Sequence, residues 1–171
     1  MIAAAVVLIL VPASAAAQTI DQTMCMSQNR DIQIKGCTAV IRSGTEARLQ
    51  LAIAYSNRGA AYADKGLYGK AIADLNKAIA LDPDDADAYN GRAWTYHLMG
   101  DDAKALPDVE KAMALVPDTP DTVETRAEIF EKLGRRGKAI ADYRATLELA
   151  LPGSQAAKDA LKGLKRLGAN P

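Results

Sequence analysis

Apolar residues recur at three- and four-residue steps along residues 52–153, which is the spacing of amphipathic helices. The pattern also returns every 34 residues: AIADLNKAIALDP begins at Ala71, ALPDVEKAMALVP at Ala105 and AIADYRATLELALP at Ala139. Each unit therefore contains two helices joined by a short turn. A two-helix hairpin cannot bury its apolar face alone, so the units are predicted to stack into a repeat array.

Turn-forming and small residues occupy fixed places in the unit. Positions in the unit are numbered from Ala52 as position 1. Glycine at position 15 predicts the end of the first helix with a positive φ, and a proline near position 32 ends the second helix. Small residues at positions 8, 20 and 27 let the helix backbones approach closely. Pro107, near the start of a second helix, is expected to delay or bend that helix. The glycines are Gly66, Gly100 and Gly134, and the prolines are Pro83, Pro117 and, one residue late, Pro152.

The period divides most of the chain into units at residues 52–85, 86–119 and 120–153. Residues 154–171 have one apolar face and lysines elsewhere, which predicts a capping helix that stops at Gly168. Residues 18–51 form an N-terminal segment. Within it, Asp31 to Ser43 is interpreted as the second helix of a degenerate leading repeat.

Residues 1–17 are predicted to be a cleaved signal peptide, because an apolar run precedes a proline and small residues. The run is too short to span a bilayer, which takes about 20 residues. A signal peptide normally begins with positive charge, and none is present, so the true start is expected upstream. The alternatives are a buried helix or a membrane anchor.

Cys25 and Cys37 are the two cysteines, and both follow the predicted cleavage site. An even cysteine count in an exported chain predicts a disulfide. Zinc is disfavoured because the usual ligand spacing is missing. A lipoprotein anchor on Cys25 is disfavoured because residues 22–24 lack small side chains. Export and a disulfide together predict an oxidising compartment, so the protein is expected to be periplasmic or secreted.

The repeated positions resemble the tetratricopeptide repeat signature over residues 52–153. The second unit matches nearly as well as the first, and the third departs at Val123, Thr146 and Pro152. The form of the signature in this chain, with Asn-Arg-Gly at residues 57–59 and Ala-Ile-Ala-Asp at residues 71–74, is similar to that of small secreted bacterial repeat proteins. The resemblance implies an all-α fold, a short right-handed α-solenoid of helix–turn–helix repeats with a C-terminal capping helix. The first unit carries the signature at Tyr55, Arg58, Gly59, Tyr62, Gly66, Tyr68, Ala71, Leu75, Ala78 and Pro83.

In this family the first helices line a concave groove that binds a peptide or protein segment. Six acids and one base occupy those positions here, which predicts a neutral or basic partner segment. Trp94, His97 and Leu98 form an aromatic and apolar centre, and Gly91 leaves space beside it. The alternative is a solvated acidic face with Trp94 as ordinary packing. The groove residues implied are Asn57, Asp64, Asp87, Asn90, Trp94, His97, Leu98, Glu124, Glu128 and Glu131.

Members that bind chaperone tails hold a carboxylate with Lys, Asn and Arg at positions where this chain has Ser56, Ala60, Asp121 and Thr125. The chain therefore lacks that clamp. An arginine on each first helix precedes an aspartate by 16 residues, which predicts three structural ion pairs; an anion-binding ladder is the alternative. The pairs are Arg58–Asp74, Arg92–Asp108 and Arg126–Asp142.

Composition and missing motifs argue against several classes of function. Lys and Arg together number 21, as do Asp and Glu, so the net charge of zero argues against nucleic acid. The single histidine has no partner for a metal site or a triad, and no phosphate-binding loop or other cofactor motif is present. Residues 82–87 fail the calcium-loop pattern. We therefore expect a non-enzymatic interaction scaffold without cofactor; self-assembly into a homo-oligomer is the alternative.

Overall fold

The computed structural model describes residues 13–171, with side chains described from residue 19 onward. Within this range the chain forms nine α-helices and no β-strand, which confirms the predicted all-α repeat fold. The helices are α1 Ala13–Cys25, α2 Arg30–Ser43, α3 Arg48–Asp64, α4 Tyr68–Leu81, α5 Ala86–Leu98, α6 Asp102–Leu115, α7 Pro120–Lys132, α8 Arg136–Leu149 and α9 Gln155–Arg166.

Consecutive helices pair into hairpins, α3 with α4, α5 with α6 and α7 with α8. The first helices of neighbouring hairpins also touch, since α3 contacts α5, α5 contacts α7 and α7 contacts α9. Each second helix packs against its own first helix and the first helix that follows. The first helices therefore form one layer and the second helices another, as expected for a stacked repeat array.

The loops inside the hairpins follow the predicted glycine rule. Gly66, Gly100 and Gly134 have φ values of 72°, 79° and 70°, which confirms the expected left-handed conformation. The residue after each glycine donates its backbone N–H to a carbonyl in the last turn of the helix, as Leu67 does to Tyr62 at 2.8 Å. These bonds satisfy carbonyls that the helix end would otherwise leave unpaired.

Pro107 does not delay its helix, contrary to the expectation from sequence. Helix α6 begins at Asp102, in the same register as α4 at Tyr68 and α8 at Arg136. Proline removes only the N–H that would bond the Ala103 carbonyl, and both residues are exposed. Water can satisfy a carbonyl at that place, so the helix tolerates the proline.

The core is built from small side chains, as the alanine-rich composition predicts. Ala71, Ala105 and Ala139 are completely buried where first and second helices meet. Larger residues fill the position four residues later, namely Leu75 and its equivalents Val109 and Tyr143. Because alanine lets helix backbones approach closely, few large side chains are needed to fill the core.

The segment before the first unit is a complete hairpin, because α1 packs against α2. Sequence reasoning identified only the second of these helices. A disulfide joins Cys25 at the end of α1 to Cys37 in α2, with Cα atoms 4.4 Å apart. Residues 1–12 of the predicted signal peptide lie outside the described range, and residues 13–17 begin α1. None of the helices within residues 13–171 is long and apolar enough to cross a membrane.

Candidate functional site: a groove along the first helices

The layer of first helices carries three adjoining cavities that share residues. The central cavity, about 470 Å³, is lined by side chains of α3, α5, α7 and α9, including Asn90, Trp94 and Glu124. The Arg166 cavity, about 360 Å³, adjoins it at Trp94 and includes Glu131 and Arg166. The rim cavity, about 390 Å³, adjoins it at Asp87 and lies beside the starts of α3, α5 and α7. Together they form a groove along α3, α5, α7 and α9.

Trp94 lies between the central and Arg166 cavities and is half-buried. Its ring stacks on the ring of His97, with 5.4 Å between centroids. His97 contacts carboxylates on both sides: Nδ1 lies 2.5 Å from Asp102 Oδ1, and Nε2 lies 3.5 Å from Glu128 Oε2. Burial alone would lower the pKa of His97, but the bonds to Glu128 and Asp102 outweigh it and raise the pKa. With a carboxylate on each side, His97 links α5 to α6 and α7 and holds the Trp94 ring in place.

Glu124 is the most perturbed acid in the groove. Burial, followed by the nearby charges of Glu128, Asp159 and Asp121, raises its pKa to about 8, against a small opposing effect of His97. Asn90 lines the same cavity, and its Oδ1 is buried without a hydrogen-bond partner among the described residues. The central cavity thus offers an unused acceptor beside a carboxyl that a cation would ionise.

The far end of the groove is less acidic than the sequence suggested, because the capping helix contributes Arg166. Its guanidinium donates to both oxygens of Glu131, at 3.0 and 2.9 Å, and to Tyr143 Oη at 3.1 Å. Tyr143 Oη in turn donates to Glu131 at 2.6 Å. The bond from Arg166 is the main cause that lowers the pKa of Glu131. Counting groove charges on α3, α5 and α7 alone missed this base.

The other predicted groove residues divide between two places. Asp87 lies where the rim and central cavities meet, and Leu98 lies exposed beside His97. Asp64 also lines the central cavity, but Arg30 of α2 pairs with it at 2.6 Å. Asn57 is not with them, because it faces a separate pocket beside Cys25.

Gly91 has a packing role that sequence reasoning did not foresee. A Cβ at Gly91 would lie 3.1 Å from Leu75 Cδ2, so Leu75 of α4 occupies the direction of the missing side chain. At Gly59, the same leucine would lie 2.7 Å from an added Cβ. The glycines therefore accommodate Leu75 between α3 and α5, and Gly91 also lines the central cavity together with Trp94.

The three arginines predicted to form ion pairs all lie opposite their aspartates. Arg92, for example, donates from Nε and Nη2 to the two oxygens of Asp108, both at 2.7 Å, and from Nη1 to Asn76 Oδ1 at 2.7 Å. Arg58 reaches back in the same way, to Thr38 at 3.0 Å. Each of these two guanidiniums bridges its own hairpin to the second helix before it. The ion-pair distances are 2.7 Å for Arg58–Asp74, Arg92–Asp108 and Arg126–Asp142.

Sequence reasoning missed an apolar pocket at the beginning of the array. This N-terminal pocket, about 170 Å³, is lined by Gln22, Cys25, Met26, Val40, Gln50, Ile53, Ala54 and Asn57. Asn57 was predicted as a groove residue, but nothing in the 34-residue period located α1. Without α1 the other wall of the pocket could not be foreseen.

Comparison with protein families identifies the repeats. A family model described as TPR repeat matches residues 59–100, and another described as tetratricopeptide repeat matches residues 86–119. No curated protein matches the chain.

Solved structures share the fold. The Arabidopsis OM64 TPR domain is 27% identical with a TM-score of 0.63, over 70% of this chain and 98% of that chain. The first TPR of Spaghetti (RPAP3), bound to the HSP90 peptide SRMEEVD, is 25% identical with a TM-score of 0.60, over 69% of this chain and 94% of that chain. MamA is 21% identical with a TM-score of 0.65, over 87% of this chain and 85% of that chain, and shows the fold alone.

The chain is a tetratricopeptide repeat protein. Its 34-residue period, its hairpins and both family models agree on this. The fold is that of protein–protein interaction scaffolds, which are generally non-enzymatic, and the Spaghetti domain is a neighbour with a peptide bound.

Proposed function

We propose that this chain is a non-enzymatic scaffold of the bacterial periplasm that binds a protein or peptide segment in its groove. The observation that carries the proposal is Trp94, a half-buried aromatic side chain held by His97 between two open cavities. A rigid tryptophan beside unfilled space is a common anchor for a partner side chain, because burying it contributes strongly to affinity.

The charges favour a neutral or basic partner segment. No ion pair within residues 19–171 neutralises Asp87 or Asp121. The Spaghetti domain, by contrast, is bound to the acidic peptide SRMEEVD. This chain has Asp121 and Thr125 where members that bind such tails have basic residues. An acidic peptide would therefore meet repulsion, and complementary charge should come from lysine or arginine.

The periplasmic location rests on two features of the chain. The first twenty residues are uncharged, and small residues at positions 13–17 follow the apolar run, as in a signal peptide. The bond between Cys25 and Cys37 suits an oxidising compartment. Fractionation of cells followed by N-terminal sequencing tests this part: a mature chain that begins near residue 18 in the periplasm supports it, and a cytoplasmic chain starting at Met1 contradicts it.

Photo-crosslinking in intact cells tests the groove. A photo-reactive amino acid replaces Trp94 in one variant and Leu149 in a control variant, since Leu149 is exposed at the end of α8 in the other layer. We expect a defined adduct with another protein from position 94 and none from position 149. Equal adducts from both positions, or none from position 94, would contradict a groove-bound partner. An adduct with a second copy of the chain would replace the proposal by self-assembly.

Binding to the partner so identified is then measured with purified protein. Trp94→Ala should weaken the affinity about tenfold or more, because the anchor contributes buried aromatic area. Circular dichroism should show an unchanged helix content and a cooperative melt. Loss of the fold would show instead that Trp94 is part of the core.

A further inference from the structure

The N-terminal pocket lies where α1, α2 and α3 meet, with Cys25 on one wall and Ile53 on the other. Its volume of about 170 Å³ is much smaller than that of the central cavity, and apolar side chains dominate its lining. Val40 at its base is buried in the same cluster as the disulfide. The pocket is therefore a small apolar hole with a rigid wall, suited to one aliphatic side chain rather than a helix.

Large apolar side chains stand exposed around this pocket. Met26 is 74% exposed and Ile53 is 46% exposed, although both contribute to the lining. The apolar surface continues across the rim cavity to Leu49 and Val116, which are also about half exposed. Among the residues that the structure describes, nothing covers this strip. Contiguous apolar surface with a polar border is typical of an interaction site.

The border of the strip is acidic. Asp84 and Asp87 line the rim cavity, and no ion pair within the described chain includes either of them. Asp82 already accepts from Asp84 N at 3.1 Å, and Asp85 caps α5 by accepting from Ala88 N at 2.9 Å. Asp84 and Asp87 are thus the acids left to meet a partner's charge.

The pocket adjoins the groove already described. Ile53 lines both the N-terminal pocket and the rim cavity, and Asp87 lines both the rim cavity and the central cavity. An extended segment with one side chain in this pocket must therefore cross the acids of the rim cavity before it reaches Trp94.

We infer that the N-terminal pocket is a second subsite of the groove, which takes one aliphatic side chain of a partner segment whose basic residues lie over Asp84 and Asp87. The inference rests on the proposed function, since it extends the same groove. It adds that the partner is recognised by an aliphatic residue next to lysine or arginine. Apolar burial supplies the affinity of the subsite, and the acids select the charge of its neighbours.

Three fluorescent peptide probes test this with the full-length chain. The first carries one leucine followed by three lysines in a glycine–serine background. The second replaces the leucine by serine, and the third replaces the lysines by glutamine. We expect the first probe to bind at least tenfold more tightly than either of the others, by fluorescence anisotropy.

Two matched variants locate the leucine site. Ile53→Ser changes an exposed isoleucine of the pocket, and Ile20→Ser changes an exposed isoleucine of α1 outside its lining. Ile53→Ser should remove most of the preference for the leucine probe over the serine probe, and Ile20→Ser should leave it intact. A second variant, Met26→Ser, should act like Ile53→Ser, which guards against a local effect on α3.

The outcomes separate this inference from the proposed function. If Trp94→Ala weakens the lysine probes but Ile53→Ser leaves the leucine preference unchanged, the subsite is wrong and the groove stands. If the leucine preference depends on Ile53 but not on the lysines, the acids play no part and the inference fails as stated. A leucine-dependent dimer of the chain in light scattering would assign the pocket to a second copy. Binding of none of the probes would contradict both proposals.

Discussion

The two ends of the groove are built from the same repeated helix and are held together by different chemistry. At the beginning, the Cys25–Cys37 bond joins α1 to α2 behind an apolar pocket. At the far end, Arg166 and Tyr143 bind Glu131, so that α7, α8 and α9 are joined by hydrogen bonds and charge. Side chains that face the groove differ between repeats, whereas the buried alanines that pack the hairpins, Ala71, Ala105 and Ala139, do not.

Position 2 of the repeat, which faces the groove, shows this variation along the whole array. It is Ile53 on α3, Asp87 on α5, Asp121 on α7 and Gln155 on α9, each 34 residues after the last. Over the same helices the turn glycines keep one conformation. Repeats thus hold the framework constant and vary the surface, so the partner's chemistry should change along the groove from apolar to charged.

Removing the disulfide should have the largest effect, and only at the beginning of the groove. For a bond closing a loop of about a dozen residues, the chain-entropy model gives about 3 kcal/mol. The variant Cys25→Ser with Cys37→Ser should therefore melt roughly 6–12 °C lower than the parent protein by circular dichroism.

Probe binding shows which end of the groove is affected by the loss of the disulfide. The double cysteine variant should lose preference for the leucine probe, while its response to Trp94→Ala should match that of the parent. A reductant should reproduce the change in the parent protein and leave the variant unaffected. Equal loss at both ends would mean that the array responds as one unit, and the contrast between the ends would be wrong.

A smaller loss of stability is expected at the other end from Gly163→Ala. A Cβ at Gly163 would lie 2.3 Å from the ring of Tyr143, so the capping helix or the ring must shift. Overpacking of this kind costs about 1–3 kcal/mol, more than the gain of helix propensity from alanine. The melting temperature should fall by several degrees.

Gly137→Ala is the matched control, because no atom lies within 4 Å of an added Cβ there. It should leave the melting temperature unchanged or raise it slightly. In a Tyr143→Leu background, Gly163→Ala should cost less stability than it does in the parent, since the smaller side chain vacates the space. A destabilised control, or an equal cost in both backgrounds, would argue against the contact between α8 and α9 as the cause.

The smallest effect expected is a pH dependence in the middle of the groove. Glu124 has its pKa raised to about 8, so in the folded chain it is mostly protonated at neutral pH and ionised above pH 8. A lysine probe should therefore bind roughly three- to tenfold more tightly at pH 8.5 than at pH 6.5. His97 acts in the same direction, because its pKa is raised and it loses its positive charge as the pH increases.

Glu124→Gln separates the two groups, since it removes the carboxyl and keeps His97. Its lysine-probe affinity should vary less with pH than that of the parent. Stability should respond as well: a carboxyl with a raised pKa stabilises the folded chain below its ordinary pKa of 4.5, and this contribution is lost as the pH rises to 8. The melting temperature of Glu124→Gln should therefore decrease less over that interval. Identical pH profiles for parent and variant would contradict the role of Glu124.

Much of the framework could be predicted because it repeats. Gly66 and its equivalents indicated where the first helices end, and the 16-residue spacing of Arg92 and Asp108 indicated a contact between two helices of one hairpin. The first hairpin could not be placed in the same way. A 34-residue shift from α4 would start α2 at Ile34, whereas it begins at Arg30, so the period is broken there.

The candidate site was predictable only as a set of positions. Trp94 and His97 were expected together because they are one helical turn apart on α5. Arg166 was not expected in the groove, because residues 154–171 were interpreted as a cap with a polar outer face. In the structure α9 lies beside α7 like the first helices before it, which directs Arg166 towards Glu131.

The sequence by itself determined the period, the hairpins, the turn glycines and the pairing of helices within each unit, because these depend on residues close together in the chain. Only the tertiary structure decided which acids of the groove remain unpaired, since their partners come from other units: Arg30 for Asp64 and Arg166 for Glu131. It also decided the apolar pocket, whose walls come from α1, α2 and α3. Local spacing sets a repeat, but a binding surface depends on which distant side chains the stacking brings together.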